Sequence, residues 1–201
     1  MRCLLIIDVQ NDFMTNGSLE VPHATKIIPF INSIQSQFTL VVATQDWHPA
    51  GHKSFASNNN VAPFSTIQLQ GQQQTAWPDH CVKGSFGAQL HSELNCDAIA
   101  AIFRKGMDKN VDSYSAFFDN NHTNSTGLAG YLHDRAVSEL HICGLCSDIC
   151  VYYSLLDAVK LGFNCIFVEY ASTPLNPQDM PEIKQNLIQK GVRLDTRAPK
   201  L

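Results

Sequence analysis

Short runs of branched, apolar residues recur along the chain, and helical patterns separate them. Residues 3–9, 40–44, 98–103, 139–143 and 165–169 are each of strand length and carry few polar side chains. Runs of this kind suit strands covered on both faces rather than half-solvated ones. Between them, residues 24–37, 128–134, 148–161 and 181–190 carry helix spacing. Gly162 and Gly191 follow two of these helices in the manner of C-terminal caps. Residues 192–194 supply a last, short strand. The alternation predicts an α/β fold: a single-domain, mainly parallel six-stranded sheet with helices on both faces, a three-layer, Rossmann-like arrangement. A length of 201 residues suits one such domain spanning 1–201, and neither an internal repeat nor a linker divides it.

Composition removes several functions. A net charge of −4 gives no electrostatic footing for nucleic acid or an anionic membrane. No window approaches the roughly 18 uninterrupted apolar residues of a membrane helix. The apolar opening is too short for a signal peptide and is interrupted by Asp8. Seven cysteines, an odd number without an export signal, read as reduced thiols in a cytoplasmic protein.

Residues 45–86 resist the α/β pattern. A loop this long inside a compact domain usually builds a site or a lid. The run "QLQGQQQ" within it reads as an exposed turn.

Ligands of open parallel sheets sit beyond the carboxyl ends of the strands. Asp8, Asn11, Asp12 and Phe13 follow the first strand, Asp46, Trp47 and His48 the second, Lys105 the third, and the stretch 144–150 the fourth. One rim thus receives an acid, a metal-type pair, a base and a thiol. Cys150 falls at the start of a helix, with Ser147 and Asp148 as candidate caps. The helix dipole there lowers a thiol pKa and favours thiolate, and the free N–H groups of the first turn can meet an oxyanion. The alternative is a cluster held by Cys143, Cys146 and Cys150, but Cys143 lies on a strand and no fourth soft ligand is near. Asp8 and Lys105 suit proton transfer and charge stabilisation, and equally a structural ion pair. Asp46, His48, His52 and His80 form a borderline-hard donor set suited to zinc, iron or manganese.

The stretches "LLIIDVQNDFMTNGSL", "ATQDWHPAGHKSFAS", "WPDHCVKGSFGAQLH", "FRKGMDKNVDSYSAFFDN" and "ICGLCSDICVYYSLLDAVKLG" together resemble the nicotinamidase/pyrazinamidase family, within the isochorismatase-like cysteine hydrolases. The resemblance spans nearly the whole chain. It implies a catalytic triad of Asp8, Lys105 and Cys150. It implies a divalent metal held by Asp46, His48 and His80, with His52 a ligand in only some members. It also implies an aromatic pocket of Phe13, Trp77 and Tyr114. A cis peptide between Leu145 and Cys146 would aim the backbone N–H groups of Cys146 and Cys150 at an oxyanion. Cys146 departs from the alanine usual there, and Ser147 from the common threonine. The implied reaction is hydrolysis of nicotinamide to nicotinate and ammonia through a thioester, in NAD salvage, with pyrazinamide a further substrate. The rivals are another hydrolase of the superfamily and a cysteine-rich cluster or redox protein. A small-molecule substrate is the expected partner, and homo-oligomerisation is left open.

Overall fold

The computed structural model describes residues 1–200. Its frame is a six-stranded parallel sheet. The strands are β1 (Arg2–Ile7), β2 (Leu40–Asp46), β5 (Ile99–Lys105), β6 (Glu139–Leu145), β7 (Asn164–Thr173) and β8 (Arg193–Asp195). They lie in the order β5-β2-β1-β6-β7-β8. A separate antiparallel hairpin pairs β3 (Thr66–Leu69) with β4 (Gln72–Thr75). The helices are α1 (Ile28–Ile34), α2 (Leu128–Asp134), α3 (Cys150–Lys160) and α4 (Met180–Gln189). Among the described residues, no helix is long and apolar enough to cross a membrane.

The pleat explains why β1 is apolar throughout. Leu4 and Ile6 enter one core with Ile28, Ile31 and Ile34 of α1. Cys3, Leu5 and Ile7 enter the other core with Leu128 and Leu132 of α2 and Val151 and Leu155 of α3. Alternate side chains feed opposite layers, so neither face tolerates a polar residue. Cys3, Cys143 and Cys165 are buried packing in these layers. Burial pushes the Cys3 and Cys165 thiols up to about 12, which leaves them unreactive.

From β1 the chain moves outward to β2 and β5, then returns to place β6 on the other side of β1. The strand order therefore reverses between β1 and β6, where a crevice opens above the carboxyl ends. Gly144 makes the close approach there possible. At φ +115 it occupies a conformation that disfavours side chains, and a Cβ would lie 2.1 Å from the Ile7 carbonyl oxygen.

Two local expectations change. The glutamine run is not a simple exposed turn but the β3–β4 hairpin. Gln70 and Gly71 at its tip both have positive φ, as a tight two-residue hairpin loop requires, and Gln74 is buried. Nor do Ser147 and Asp148 cap the Cys150 helix. α3 starts at Cys150 without a side-chain cap. The Asp148 carboxylate instead accepts the N–H groups of Leu175 and Asn176 at 2.9 and 2.7 Å, tying down the chain after β7.

Candidate active site

Four strand ends deliver the chemistry. Asp8 follows β1 directly, Asp46 and Lys105 are the last residues of β2 and β5, and Cys150 opens α3 after the turn from β6. The Lys105 ammonium, buried with them, lies 2.9 Å from Asp8 Oδ2, 2.6 Å from Asp46 Oδ1 and 3.5 Å from Cys150 Sγ. It also donates to the Ser113 carbonyl at 2.9 Å. The expected Asp8–Lys105 pair is thus present, and Asp46 completes a bridge that sequence reasoning missed.

Asp8 is held by one oxygen. Its Oδ1 accepts the Thr44 hydroxyl at 2.6 Å, and its own N–H donates back to Thr44 Oγ1 at 3.2 Å. Oδ2 has no aligned hydrogen-bond donor among the described residues despite its closeness to Lys105. An Asp8 oxygen, an Asp46 oxygen and Cys150 Sγ all lie within 4.8 Å of one another. Burial pushes Asp8 up to about 6, with the Lys105 charge pulling the other way. For Asp46 burial is outweighed by Lys105 and His48, which hold it well below the usual carboxylate range. Two carboxylates on one ammonium therefore differ in character: Asp46 stays charged, and Asp8 is poised to take a proton.

The thiol itself departs from expectation. Burial pushes Cys150 well above an ordinary cysteine, and Lys105 only partly opposes it. A helix start offers a favourable dipole, but desolvation dominates here. The resting sulfur is a thiol that needs a base, and Asp8 is beside it. The peptide bond between Leu145 and Cys146 is cis. The Cys146 carbonyl takes up the N–H groups of Ile149 and Val151, both at 3.1 Å. Cys150, as the first residue of α3, has an N–H with no helical acceptor.

Beside this trio lies the donor set. Asp46, His48 and His80 are buried, and one ligand atom from each falls within a 4.8 Å group. His48 Nε2 and His80 Nε2 stand 3.7 and 3.8 Å from Asp46 Oδ2. Their opposite nitrogens face backbone carbonyls: His48 Nδ1 is 2.9 Å from Gly106 O and His80 Nδ1 2.8 Å from Pro78 O. Such partners fix Nδ1 as the protonated nitrogen and leave both Nε2 lone pairs turned inward, as metal-ligating histidines require. Burial and the neighbouring His48 push His80 down to about 4, so it is neutral near pH 7. His48 is raised, because Asp46 overcomes the effect of burial. The residues present fit a divalent cation.

His52 stands apart from that group. Its ring packs on His48 with centroids 4.4 Å apart, but Nδ1 lies 2.7 Å from Ser54 Oγ and Nε2 3.3 Å from Val111 O. It falls instead in a second cluster with His48 and Asp112. The three-cysteine cluster has no counterpart: among the described residues, no metal-type group joins Cys143, Cys146 and Cys150.

The pocket over Cys150 is lined by Phe13, Trp77, Tyr114, His80 and Cys146, with Asp46 and Asp112 among the polar atoms. The three aromatic residues expected from sequence are therefore together. Trp47 is not with them, being covered by the Arg104 guanidinium at 3.8 Å. Sequence reasoning also missed the supports. Gln10 grips the Asp46 backbone from both sides, accepting its N–H and donating to its carbonyl, each at 2.8 Å. Asp12 accepts the Cys81 N–H at 2.7 Å, next to His80. Their place just past an apolar strand, where residues reach the rim, was the one signal the sequence carried for them.

Known proteins resemble this chain over nearly its whole length. Residues 2–197 match the family model described as the isochorismatase domain. A curated relative, the nicotinamidase of Escherichia coli K12, is 44% identical over 98% of this chain and 95% of its own. The solved nicotinamidase/pyrazinamidase of Acinetobacter baumanii superposes with a TM-score of 0.93 at 41% identity, covering 96% of this chain and 94% of the other. The pyrazinamidase of Pyrococcus horikoshii, solved in complex with zinc, gives 0.80 at 30% identity over 98% and 99%. The chain belongs to the isochorismatase family of hydrolases and, within it, to the nicotinamidase/pyrazinamidase family.

Proposed function

We propose that this chain is a nicotinamidase that hydrolyses nicotinamide to nicotinate and ammonia, accepts pyrazinamide as well, and serves NAD salvage in the cytoplasm. One observation carries the reading: Cys150 Sγ sits 3.5 Å from the Lys105 ammonium and within 4.8 Å of a buried Asp8 carboxylate that the same ammonium holds at 2.9 Å. The names of the relatives support it.

The substrate ring lies among Phe13, Trp77 and Tyr114, with the carboxamide over Cys150. Asp8 Oδ2 takes the Cys150 proton, and the sulfur forms a bond to the carboxamide carbon. Backbone N–H groups of Cys146 and Cys150 meet the oxyanion. Lys105, fixed between two carboxylates, holds Asp8 in place and stabilises developing charge. Asp8 returns the proton to the amide nitrogen, the C–N bond breaks, and ammonia leaves a thioester on Cys150. Asp8 then deprotonates a water that attacks the thioester, releasing the acid and restoring the thiol. Asp46, His48 and His80 would hold the divalent ion, zinc foremost and iron or manganese as substitutes, which supplies a Lewis-acid anchor for the ring nitrogen.

Ammonia release from nicotinamide and pyrazinamide by the purified protein, with and without chelator, tests the reading. Turnover of both amides that is lost with chelator and in Cys150→Ala is expected. Absence of ammonia from either amide, or full release by Cys150→Ala, would overturn it.

A further inference from the structure

Pro174, Leu175, Asn176 and Pro177 follow the end of β7. Proline has no N–H, so this stretch offers two backbone donors, those of Leu175 and Asn176. Both go to one side chain. Asp148 accepts the Leu175 N–H at Oδ1, 2.9 Å away, and the Asn176 N–H at Oδ2, 2.7 Å away. Each carboxylate oxygen thus holds one of two neighbouring amides, which fixes the tilt of the segment as well as its position. Just upstream on both strands of chain, the Ser147 N–H donates to the Thr173 carbonyl at 2.9 Å. Residues 147–148 are therefore stapled to residues 173–176.

The staple joins two parts of the pocket. Asp148 belongs to the turn between β6 and α3, and that turn brings Cys146, Ile149 and Cys150 to the pocket. The turn is braced from within by the Cys146 carbonyl, which takes the Ile149 and Val151 N–H groups. Leu175, on the other side of the staple, also lines the pocket. It packs against the apolar cluster that contains Phe13, Leu19 and Trp77. Neither a strand nor a helix carries Leu175, so sheet register does not set how far it stands from the nucleophile. The Asp148 carboxylate does. A leucine side chain neither donates nor accepts a hydrogen bond, so its effect on a bound ring is one of shape and excluded volume.

We propose that Asp148 is a positioning residue that holds Leu175 at a fixed distance from Cys150, and that Leu175 thereby admits unsubstituted six-membered aromatic carboxamides and rejects rings bearing an alkyl group on the edge that faces it. This inference rests on the pocket assignment in the proposed function and names a limit on the substrate ring. A leucine whose backbone is held at two adjacent amides cannot yield to a methyl group as an untethered loop residue would. One carbon in an apolar pocket is worth about 10- to 200-fold in selection between substrates. The inference also gives a role to a carboxylate that takes no part in bond breaking.

The test measures kcat/KM of the full chain for nicotinamide and for its four ring-methylated derivatives. In the unmutated chain at least one methylated amide is expected to fall about tenfold or more below nicotinamide. Leu175→Ala is expected to raise that amide relative to nicotinamide by about tenfold or more. Asp148→Asn, whose NH2 group cannot accept the second N–H, is expected to move the same ratio the same way by about three- to tenfold. Added to Leu175→Ala, it should move the ratio by less than about twofold, because it acts through the leucine. A merely structural Asp148 would lower kcat for every amide alike and leave the ratios in place. Equal use of all the amides by the unmutated chain overturns the proposal. So do unmoved ratios in Leu175→Ala, or an equal effect of Asp148→Asn with and without Leu175→Ala. Should Asp148→Asn fail to fold, Asp148→Glu takes its place, since it keeps both acceptors but displaces them by one methylene, and an unmoved ratio there overturns the role of Asp148. Ammonia release from nicotinamide with unmoved ratios defeats this inference alone. If the unmutated chain releases no ammonia from any of the amides, the proposed function falls. Calorimetric Kd ratios of the same amides on the unmutated chain and on Leu175→Ala then decide: a shift of about tenfold supports the leucine contact, and an unmoved ratio or no binding overturns it.

Discussion

The Asp8–Lys105–Cys150 half of the site grows from β1, β5 and the start of α3, whereas the Asp46–His48–His80 half is shared between the end of β2 and the long segment before β5. The first half is positioned by sheet register and by two dry cores. The second depends on a few hydrogen bonds between side chains and backbone: one from His48 to Gly106, one from His80 to Pro78, and two between Gln10 and Asp46. Rigid strands can place a reacting atom directly, while a loop donor needs its own brace. Substitutions in the two halves should therefore fail differently, the first in turnover and the second in cation binding.

The sharpest contrast comes from Cys150→Ala. It should lower kcat by at least about 10⁴-fold, the scale of losing a hydrolase nucleophile, with metal content by mass spectrometry unchanged. Loss of metal as well would merge the two halves and break the comparison. Asp8→Asn ranks next. Asp8 has φ +50, a conformation asparagine tolerates, so the backbone should survive while the base disappears. A fall of about 10²- to 10⁴-fold in kcat is expected. In the unmutated chain the same group gives a pH dependence with a definite sign. Asp8 must be ionised to accept the thiol proton and is pushed up to about 6. The rate should therefore decline as pH drops through about 6, roughly tenfold per further unit.

In the donor half, Gly106→Ala should act on cation affinity. A Cβ at Gly106 would fall 2.3 Å from His48 Cε1, and φ +66 adds backbone strain. Displacing this brace should weaken metal binding about 10- to 100-fold, read by titration with a competing chelator. Unchanged affinity would mean that His48 needs no such support. The smallest effect belongs to Thr44→Val. Removing the 2.6 Å hydrogen bond to Asp8 costs about 1 kcal/mol, or roughly fivefold in rate. Because the Thr44 hydroxyl stabilises the ionised carboxylate, its loss should also move the acidic limb to higher pH.

The strand-built half was legible in the sequence for a physical reason. Apolar runs covered on both faces announce parallel strands, and the residues just past each run must reach one rim. Asp8, Lys105 and Cys150 could be gathered by that logic alone. His80 was grouped with His48 only as a donor type on the same long segment, because nothing in the spacing of residues 47–98 says where a loop turns; choosing it over His52 as a ligand came from family resemblance. Gln74 stayed hidden in a polar run, since composition does not report which of several glutamines is buried. The acidity of Cys150 was misjudged because a helix start is visible in sequence and desolvation is not.

Lys105 touches Asp8 and Asp46 at once. A single cation is thus the common counterweight for the proposed proton acceptor and for a proposed ligand of the ion, so a change at either carboxylate alters the charge balance of the other. A descendant that gave up Asp46 would leave Lys105 paired with Asp8 alone and make that carboxylate a weaker base.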